Sequence, residues 1–283
     1  MRIGGSETLR VTFYGVRGST PCDGDDTRRY GGNTSCVVVA APGEKPLILD
    51  LGTGLRYFGR TLPYRAPADV NVLLTHLHWD HIQGLPFFAP LLHDETKVHV
   101  VAPLQEDVDV REAMRRAVTP PVFPVELDAL AADISYRGVG DETFDLDGFE
   151  ITSRFVPHVG PTLGFRIKWQ DKVVVYIPDH QQPFDGAVEF TDGVLELMHE
   201  ADLLIHDAQY LPEEFARRSN WGHCTTEFAV QGARKSRVKH LALFHHDPGR
   251  TDDSLDRIHE ALDAETGKSM KLSTAREGLC LEV

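Results

Sequence analysis

The chain has 283 residues, a length compatible with one large domain or two modest ones. Its 41% hydrophobic and 25% charged content is typical of a soluble globular protein, and no apolar run approaches the roughly 20 residues of a membrane-spanning helix. The net charge of -14 at pH 7 disfavours long polyanions, because nucleic-acid binding rests on basic patches that neutralise phosphates. We therefore expect no membrane contact and a small or locally held substrate.

The amino terminus and the cysteines favour a cytoplasmic protein. The first residues, MRIGGSETLRVTFYG, lack the long apolar core of a secretory signal. The cysteines show no CxxC spacing, which predicts neither a disulfide framework nor a cysteine zinc site; they are Cys22, Cys36, Cys224 and Cys280.

Short β-branched runs bounded by Gly, Pro, Asp or Asn predict strands along the whole chain: LRVTFYG, TSCVVVA, PLILDLG, VNVLLTH, KVHVVAP, FEITSRFVP, LGFRIKW, KVVVYIPD, ADLLIHD, HLALFHH and LCLEV. Helical patterns are fewer and lie around Asp107 to Val118, Thr225 to Arg237 and Ser254 to Glu265. The mixture predicts an α/β protein with abundant sheet. Two sheets packed face to face, with helices outside, would bury this many strands.

The segment after the strand VNVLL is rich in potential metal ligands. THLHWDHIQG contains His76, His78, Asp80 and His81 within six residues. In an extended segment His76, His78 and Asp80 share one side, whereas His81 points elsewhere. Because imidazole and carboxylate are ligands that borderline divalent metals prefer, this one loop could serve two neighbouring metal positions.

Further ligands must come from other strand ends, because four residues do not complete two metal sites. The pattern of an apolar strand followed by a ligand recurs at His158, at Asp179 and at the pair His245 and His246. Functional groups collect where strands deliver them into loops at one edge of a sheet. These residues are therefore candidates for the missing ligands.

Together these motifs resemble the metallo-β-lactamase superfamily of dinuclear metallohydrolases. THLHWDHIQG matches the HxHxDH motif, LILDLGTGL matches the preceding Asp-bearing strand, and the later ligands follow in the same order. The resemblance covers nearly the whole chain and implies a single domain over residues 1–283. The fold it implies is a four-layer αββα sandwich with the metals at one edge of the two sheets.

The resemblance assigns seven ligands to two divalent ions. His76, His78 and His158 would hold one ion; Asp80, His81 and His245 would hold the other; Asp179 would bridge both. Zinc is the first choice, but manganese or iron fit similar ligands.

Two further residues, His246 and Asp50, are related to this ligand set. His245 is favoured over His246 because it follows the strand LALF directly and aligns with the single histidine usual in the family, although a one-residue register slip would exchange the two. Asp50, at the end of its strand, is expected to orient the metal loop through hydrogen bonds and to weaken metal binding when lost.

Hydrolysis is the reaction that a pair of divalent ions predicts, because such a pair lowers the pKa of a bridging water and clamps the attacking and leaving oxygens. ADLLIHDAQY followed by NWGHCTTEFAV resembles the phosphodiesterase branch that contains RNase Z. The resemblance implies that a bridging hydroxide, oriented by Asp80, attacks a phosphodiester while His223, held by Asp207, protonates the leaving oxygen. The alternative for His223 is to cap the following helix or to join a polar network.

Departures from the RNase Z pattern narrow the expected substrate. RNase Z usually carries a protruding tRNA-binding arm, whereas here two strands take most of the residues between His158 and Asp179. With the acidic charge, this predicts a small or cyclic phosphodiester and disfavours tRNA. A lactone or thioester hydrolase and a redox iron protein of the same fold stay open as alternatives. Dimers are frequent in the resembling branch, so a homodimer is compatible with the resemblance.

Three more residues are candidates for substrate contact. Arg17 and Asn33 lie in a Gly-rich loop that resembles one in small phosphodiesterases of the same branch, including the cyclic-phosphate phosphodiesterase of phosphonate metabolism. Either could hold a phosphate oxygen or instead fix the loop through backbone hydrogen bonds. His180 replaces part of a GDT-like turn and could contact substrate or be an exposed loop histidine. The stretch RRAVTPPVFPVELDAL could form a rigid wall, a partner surface or ordinary packing.

Overall fold

Two sheets of seven strands each form the centre of the part of the chain that the structure, a computed structural model, describes: residues 8–63 and 66–283. In spatial order, the first sheet contains β14 (Cys280–Glu282), β1 (Arg10–Gly15), β2 (Cys36–Ala40), β3 (Leu47–Leu49), β4 (Asp69–Leu73), β5 (Lys97–Pro103) and β6 (Asp133–Val139). The second contains β13 (Lys271–Thr274), β12 (His240–Phe244), β11 (Leu203–Asp207), β10 (Lys172–Ile177), β9 (Leu163–Trp169), β8 (Phe149–Phe155) and β7 (Glu142–Leu146).

The helices are α1 (Leu55–Thr61), α2 (Trp79–Ile82), α3 (Val110–Ala117), α4 (Asp192–Met198), α5 (Pro212–Phe215), α6 (Thr226–Lys235) and α7 (Asp252–Thr266). Helices α1, α3, α4, α6 and α7 pack on the outer faces of the sheets, whereas α2 and α5 are single turns in connecting segments. The three predicted helices correspond to α3, α6 and α7, and each begins after a side chain that accepts a hydrogen bond from the first turn: Asp109, Thr225 and Thr251. None of the helices between residues 8 and 63 or 66 and 283 is long and apolar enough to cross a membrane.

Three hydrophobic cores separate the four layers. The core between the sheets includes Val11, Val37, Ile151, Phe165 and Phe244. A second core joins the first sheet to α1 and α3, and a third joins the second sheet to α4, α6 and α7. Because the central strands are buried on both faces, their sequences are continuous apolar runs rather than alternating ones. The predicted αββα sandwich is confirmed.

The strand directions bring the predicted ligands to one edge. Strands β3 to β6 are parallel to one another, and so are β10 to β13. Strand β8 runs in the same direction as β10, because both are antiparallel to β9. The carboxyl ends of parallel strands lie at the same edge of a sheet, where ligand sites form. The segments after β4, β8, β10 and β12 therefore meet there.

Candidate metal centre

Three histidines form the first ligand group. His76 and His78 lie in the loop after β4, and His158 follows β8. Their ring centroids are 4.4 to 5.0 Å apart, and His158 Nε2 lies 3.2 Å from His78 Nδ1. Their ligand atoms lie close enough to hold one ion.

Asp80, His81 and His245 form the second group. His245 Nε2 lies 3.1 Å from Asp80 Oδ2 and 3.3 Å from His81 Nε2. His245 adopts a φ of 57°, which is uncommon for a residue with a side chain and turns its ring towards the edge of the sheets. His246 points away, since its Nε2 donates to the carbonyl oxygen of Ala275. The geometry therefore favours His245 over His246.

Asp179 lies between the two groups. Its Oδ1 is 3.9 Å from His76 Nε2 and 3.8 Å from His158 Nε2. Its Oδ2 is 3.1 Å from His81 Nε2 and 3.4 Å from His245 Nε2. One carboxylate oxygen thus faces each group, as a ligand shared by two ions requires.

Two buried atoms support the fit of metal ions to these residues. Among the described residues, His76 Nε2 has no hydrogen-bond partner, and Asp179 Oδ2 has none either, although it lies close to His81 Nε2. A buried polar atom without a partner costs about 1–3 kcal/mol, which a bound cation would offset. Burial lowers the pKa values of His76, His78 and His158, which keeps them in the neutral form that binds metals.

Asp50 orients one ligand from behind. Its Oδ2 accepts hydrogen bonds from His81 Nδ1 at 2.7 Å and from the Tyr176 hydroxyl at 2.8 Å, while its Oδ1 accepts the Thr75 N–H at 2.7 Å. With Nδ1 donating to Asp50, His81 Nε2 is directed to the metal position. Burial disfavours the charged form of His81, but Asp80, Asp179 and Asp50 raise its pKa overall.

His223 and Asp207 are adjacent, as the sequence analysis expected. His223 Nδ1 lies 3.1 Å from Asp207 Oδ2 and 3.6 Å from Asp179 Oδ1. Burial disfavours a charged His223, but the Asp207 carboxylate and its neighbours raise the pKa of the ring overall. Thr225, and not His223, caps α6, which removes the capping alternative. His223 also forms a potential ligand group with Asp179 and His245, so metal binding is the alternative role for this residue.

The hydrogen bonds that orient His158 and His245 were not predicted from the sequence. His158 Nδ1 donates to the carbonyl oxygen of Gly222, and His245 Nδ1 lies 2.8 Å from Gln209 Oε1. Gly222 has a φ of 95°, and a Cβ there would lie 2.5 Å from His158 Cε1, so only glycine fits. The Gly-His pair was a visible signal for this contact, whereas nothing in the sequence indicates Gln209.

Arg17 does not reach a substrate, which corrects its assignment as a candidate phosphate contact. The side chain is fully buried, and its guanidinium donates to the carbonyl oxygens of Gly31, Asp247 and Arg250 at 2.7 to 3.2 Å. These hydrogen bonds offset part of the cost of burying the charge, and Nη2 lies 3.9 Å from Asp252 Oδ1. Arg17 therefore fixes the long β1–β2 loop against the segment after β12.

Asn33 and His180 also have partners within the protein. Asn33 Nδ2 donates to both carboxylate oxygens of Glu277 at 3.0 and 3.1 Å. His180 is buried, its Nδ1 lies 3.0 Å from His206 Nε2, and its ring stands edge-on to Phe228. It is neither the exposed loop histidine nor the substrate contact that the sequence suggested. Both residues support the loops around the metal centre instead.

An αββα sandwich with two histidine and aspartate ligand groups at one edge of its sheets defines a metal-dependent hydrolase. Residues 47–246 match the sequence profile described as the beta-lactamase superfamily domain. The chain belongs to this metallo-β-lactamase superfamily, in its ribonuclease Z-like branch. The resemblance noted in the sequence is thereby confirmed.

Several known proteins are similar to nearly the whole chain. Ribonuclease Z of Natronomonas pharaonis is 27% identical over 93% of this chain and 94% of its own. The structure of human tRNase Z, short form, aligns with a TM-score of 0.69 and 20% identity over 96% of this chain and 98% of its own. A diphosphatase of the PhnP family aligns with a TM-score of 0.70 and 19% identity, covering 97% and 98%. At these identities the two structures show the fold.

The expectation that disfavours tRNA is wrong. A ribonuclease Z is similar over more than nine-tenths of both chains, and the fold is that of a human tRNase Z. The net charge of -14 is a sum over the whole surface and carries no information on the charge beside the metal centre. Near it, the Arg218 guanidinium lies 5.3 Å from the ring of Tyr210, which stands edge-on to His223, and it is paired with Asp247 Oδ2 at 2.6 Å. Strands β9 and β10 are indeed joined by a turn of two residues, Gln170 and Asp171.

Proposed function

We propose that the chain is a phosphodiesterase that uses two divalent metal ions, with an RNA phosphodiester as its leading substrate. The observation that carries the proposal is the position of Asp179, which turns one oxygen to each ligand group and lies beside the Asp207–His223 pair. The similarity to ribonuclease Z supports the choice of RNA, and specifically of a transfer RNA with a 3′ extension.

The two ions would be held by the ligands that the sequence predicts. One set is His76, His78 and His158; the other is Asp80, His81 and His245; Asp179 joins the two. Zinc fits a site of imidazole and carboxylate best, and manganese or iron are alternatives. When bound, such a pair supplies Lewis acidity, lowers the pKa of a nearby water and stabilises charge on the phosphate oxygens.

Asp80 is proposed to orient the attacking water. Burial alone would raise the pKa of Asp80, but His81 and His245 lower it overall, so the carboxylate is ionised. Its Oδ2 accepts the backbone N–H of Ser19 at 2.7 Å, which fixes the side chain. An ionised carboxylate held in this way accepts a hydrogen bond from the water and sets its direction of approach.

His223 is proposed to protonate the leaving oxygen. Asp207 accepts a hydrogen bond from Nδ1, and the raised pKa of His223 favours the doubly protonated ring, whose Nε2 then carries the proton that an alkoxide leaving group needs. Asp207 is itself fixed, because its Oδ1 accepts the Gln209 N–H at 3.0 Å and its Oδ2 accepts the His180 N–H at 3.1 Å. The ring is therefore oriented before substrate binds.

A substrate panel on protein of measured metal content tests the proposal. The panel holds a precursor tRNA with a 3′ extension, cyclic nucleotides, a chromogenic phosphodiester, a lactone and a thioester. We expect metal-dependent cleavage of phosphodiesters, with the precursor tRNA cut at the highest kcat/KM. Cleavage of the lactone or thioester alone, or one iron per chain with oxygen consumption, would overturn the proposal.

A small or cyclic phosphodiester is the second candidate substrate. The observation that favours it is the turn of Gln170 and Asp171, which joins β9 directly to β10. The likeness to a diphosphatase of the PhnP family is in keeping with it. A higher kcat/KM for cyclic nucleotides than for precursor tRNA would select this candidate. The organisation of residues 1–283 as one domain and the cytoplasmic location stay predictions.

A further inference from the structure

Two apolar cavities open beside the metal centre. The first, of about 180 Å³, is lined by α2, the turn after it and the segment after α3; its main side chains are Trp79, Phe87, Val122 and Phe123. The second, of about 380 Å³, is lined by the loops after β8 and β10; its main side chains are Pro157, Pro183, Phe184 and Phe190. We name them the Trp79 pocket and the Phe184 pocket.

Both pockets are continuous with the ligand loops. Trp79 lies between the candidate ligands His78 and Asp80 in the chain, so its backbone belongs to the ligand loop. Pro157 directly precedes His158, and its carbonyl oxygen accepts the Gln181 N–H at 2.7 Å. Each pocket is therefore attached to a loop that carries a candidate ligand.

The pockets belong to opposite layers of the sandwich. The Trp79 pocket includes Ile82 and Val118, which are part of the core between the first sheet and its helices. In the Phe184 pocket, Phe190 packs on Phe228 of α6 with ring centroids 4.3 Å apart and joins the core between the second sheet and its helices. The metal centre lies between these two layers, and so between the two pockets.

The rings in these pockets are unusually exposed. Trp79, Phe87 and Phe184 expose 63%, 58% and 67% of their surface. Phe87 is held edge-on against Phe123 at 5.9 Å, so the first pocket has a fixed aromatic wall. Exposed apolar patches on soluble proteins mark binding sites. Flat aromatic rings beside a phosphodiester site have the chemistry that stacks nucleobases.

We propose that each pocket takes one unpaired nucleobase, one on the 5′ side and one on the 3′ side of the scissile phosphodiester. This inference rests on the proposed phosphodiesterase function. A cyclic mononucleotide carries one base and leaves one pocket empty, whereas a single-stranded RNA segment fills both. The pockets therefore select a strand with unpaired bases at the cleavage point. They also give a role to the VTPPVFP stretch, which supplies Val122 and Phe123.

The test pairs protein variants with abasic substrates. Single-stranded RNA is prepared with all bases, or with an abasic nucleotide on the 5′ or the 3′ side of the cleavage point. The values of kcat/KM are measured for the wild-type protein, Trp79→Ala and Phe184→Ala, all at equal metal content. Tyr57→Ala is the matched control, because Tyr57 is an exposed aromatic residue on α1 that lines neither pocket.

We expect each abasic substitution to lower the wild-type kcat/KM about 10- to 100-fold, as loss of one stacked base does. Trp79→Ala should show the same loss with intact RNA and no further loss at one of the two abasic positions. Phe184→Ala should behave likewise at the other position. Trp79→Phe keeps a ring and should retain most of the activity, which separates stacking from a disturbed ligand loop.

If the losses in kcat/KM caused by a variant and by an abasic nucleotide multiply at both positions, the inference is overturned. It is also overturned if Trp79→Ala and Phe184→Ala are coupled to the same abasic position. Binding to the metal-loaded His223→Ala protein, followed by Trp fluorescence, gives a readout without turnover. Fluorescence should change with intact RNA and with RNA that is abasic at the position coupled to Phe184, but not with RNA that is abasic at the position coupled to Trp79, and Trp79→Phe should abolish this base-dependent change. Base-dependent binding without cleavage by the wild-type protein would overturn the proposed function alone; binding without base dependence, or no binding, would overturn this inference.

Discussion

Replacement of Asp50 by asparagine tests whether the hydrogen bonds that Asp50 accepts control stability and metal affinity. Asp50 Oδ2 accepts from His81 Nδ1 and Tyr176, and Oδ1 accepts from the N–H and hydroxyl of Thr75. In Asp50→Asn the amide nitrogen replaces one of the two carboxylate oxygens. Whichever oxygen it replaces, this nitrogen then faces a buried donor and cannot accept its hydrogen bond. One or two lost partners, at about 1–3 kcal/mol each, should lower the free energy of unfolding of the metal-free protein by about 2–4 kcal/mol.

Metal binding should weaken selectively in Asp50→Asn. Because Asp50 orients His81 and no other ligand directly, affinity for the ion at Asp80, His81 and His245 should fall about 10- to 100-fold. The ion at His76, His78 and His158 should be retained, although Thr75 neighbours His76. Calorimetric titration of zinc into metal-free protein should resolve two binding phases, and only one of them should shift to lower affinity.

Asp252→Asn is the matched control for this experiment. Asp252 is another buried aspartate that accepts backbone N–H groups, those of Arg29 and Tyr30, and it lies in none of the ligand groups. It should lower stability and leave both zinc affinities unchanged. Wild-type affinity for both ions in Asp50→Asn, or a selective loss of the ion held by the three histidines, would refute the reasoning.

Three further substitutions have distinct expected outcomes. His223→Ala should lower phosphodiester turnover about 100- to 10,000-fold with metal content unchanged; loss of metal by mass spectrometry would instead make His223 a ligand. Arg17→Met should leave KM unchanged and destabilise the protein by several kcal/mol in urea denaturation, because three buried carbonyls lose their donor; a raised KM alone would restore a substrate contact. His245→Ala should remove about one metal ion per chain, whereas His246→Ala should remove none; the reverse result would exchange their roles.

The strands that sequence analysis identified and those that it missed differ in burial. The central strands are buried on both faces, so their apolar runs were visible. The missed strands are β6, β7 and β13, which are three of the four edge strands of the described sheets. In β7, for example, exposed residues alternate with half-buried ones in ETFDL. An edge strand packs on fewer neighbours and needs less apolar sequence, so its pattern resembles that of a loop.

The ligand set was visible because each ligand follows a strand, and parallel strands end at the same edge. Residues whose environment depends on distant segments were not. Arg17 is buried by carbonyl groups more than 200 positions along the chain, at Asp247 and Arg250. His180 lies in a polar loop, yet His206 and Phe228 bury it. Local sequence gives no measure of such contacts.

Charge and loop length misled the expectation about substrate for a related reason. Both describe what surrounds a site rather than the site, and neither reports the aromatic pockets next to His78 and His158. The residues that indicate a base on each side of the phosphodiester, such as Trp79 and Phe184, are separate aromatic residues in the sequence. The fold brings them next to the loops that carry the candidate ligands.

Zinc titration of the metal-free protein, followed by both bound metal and phosphodiester cleavage, tests the central claim most directly. We predict two zinc ions per chain, with cleavage appearing as the second ion binds, and one ion with no cleavage in His158→Ala. Full cleavage with one ion per chain, or two bound ions without phosphodiester cleavage, would contradict the account.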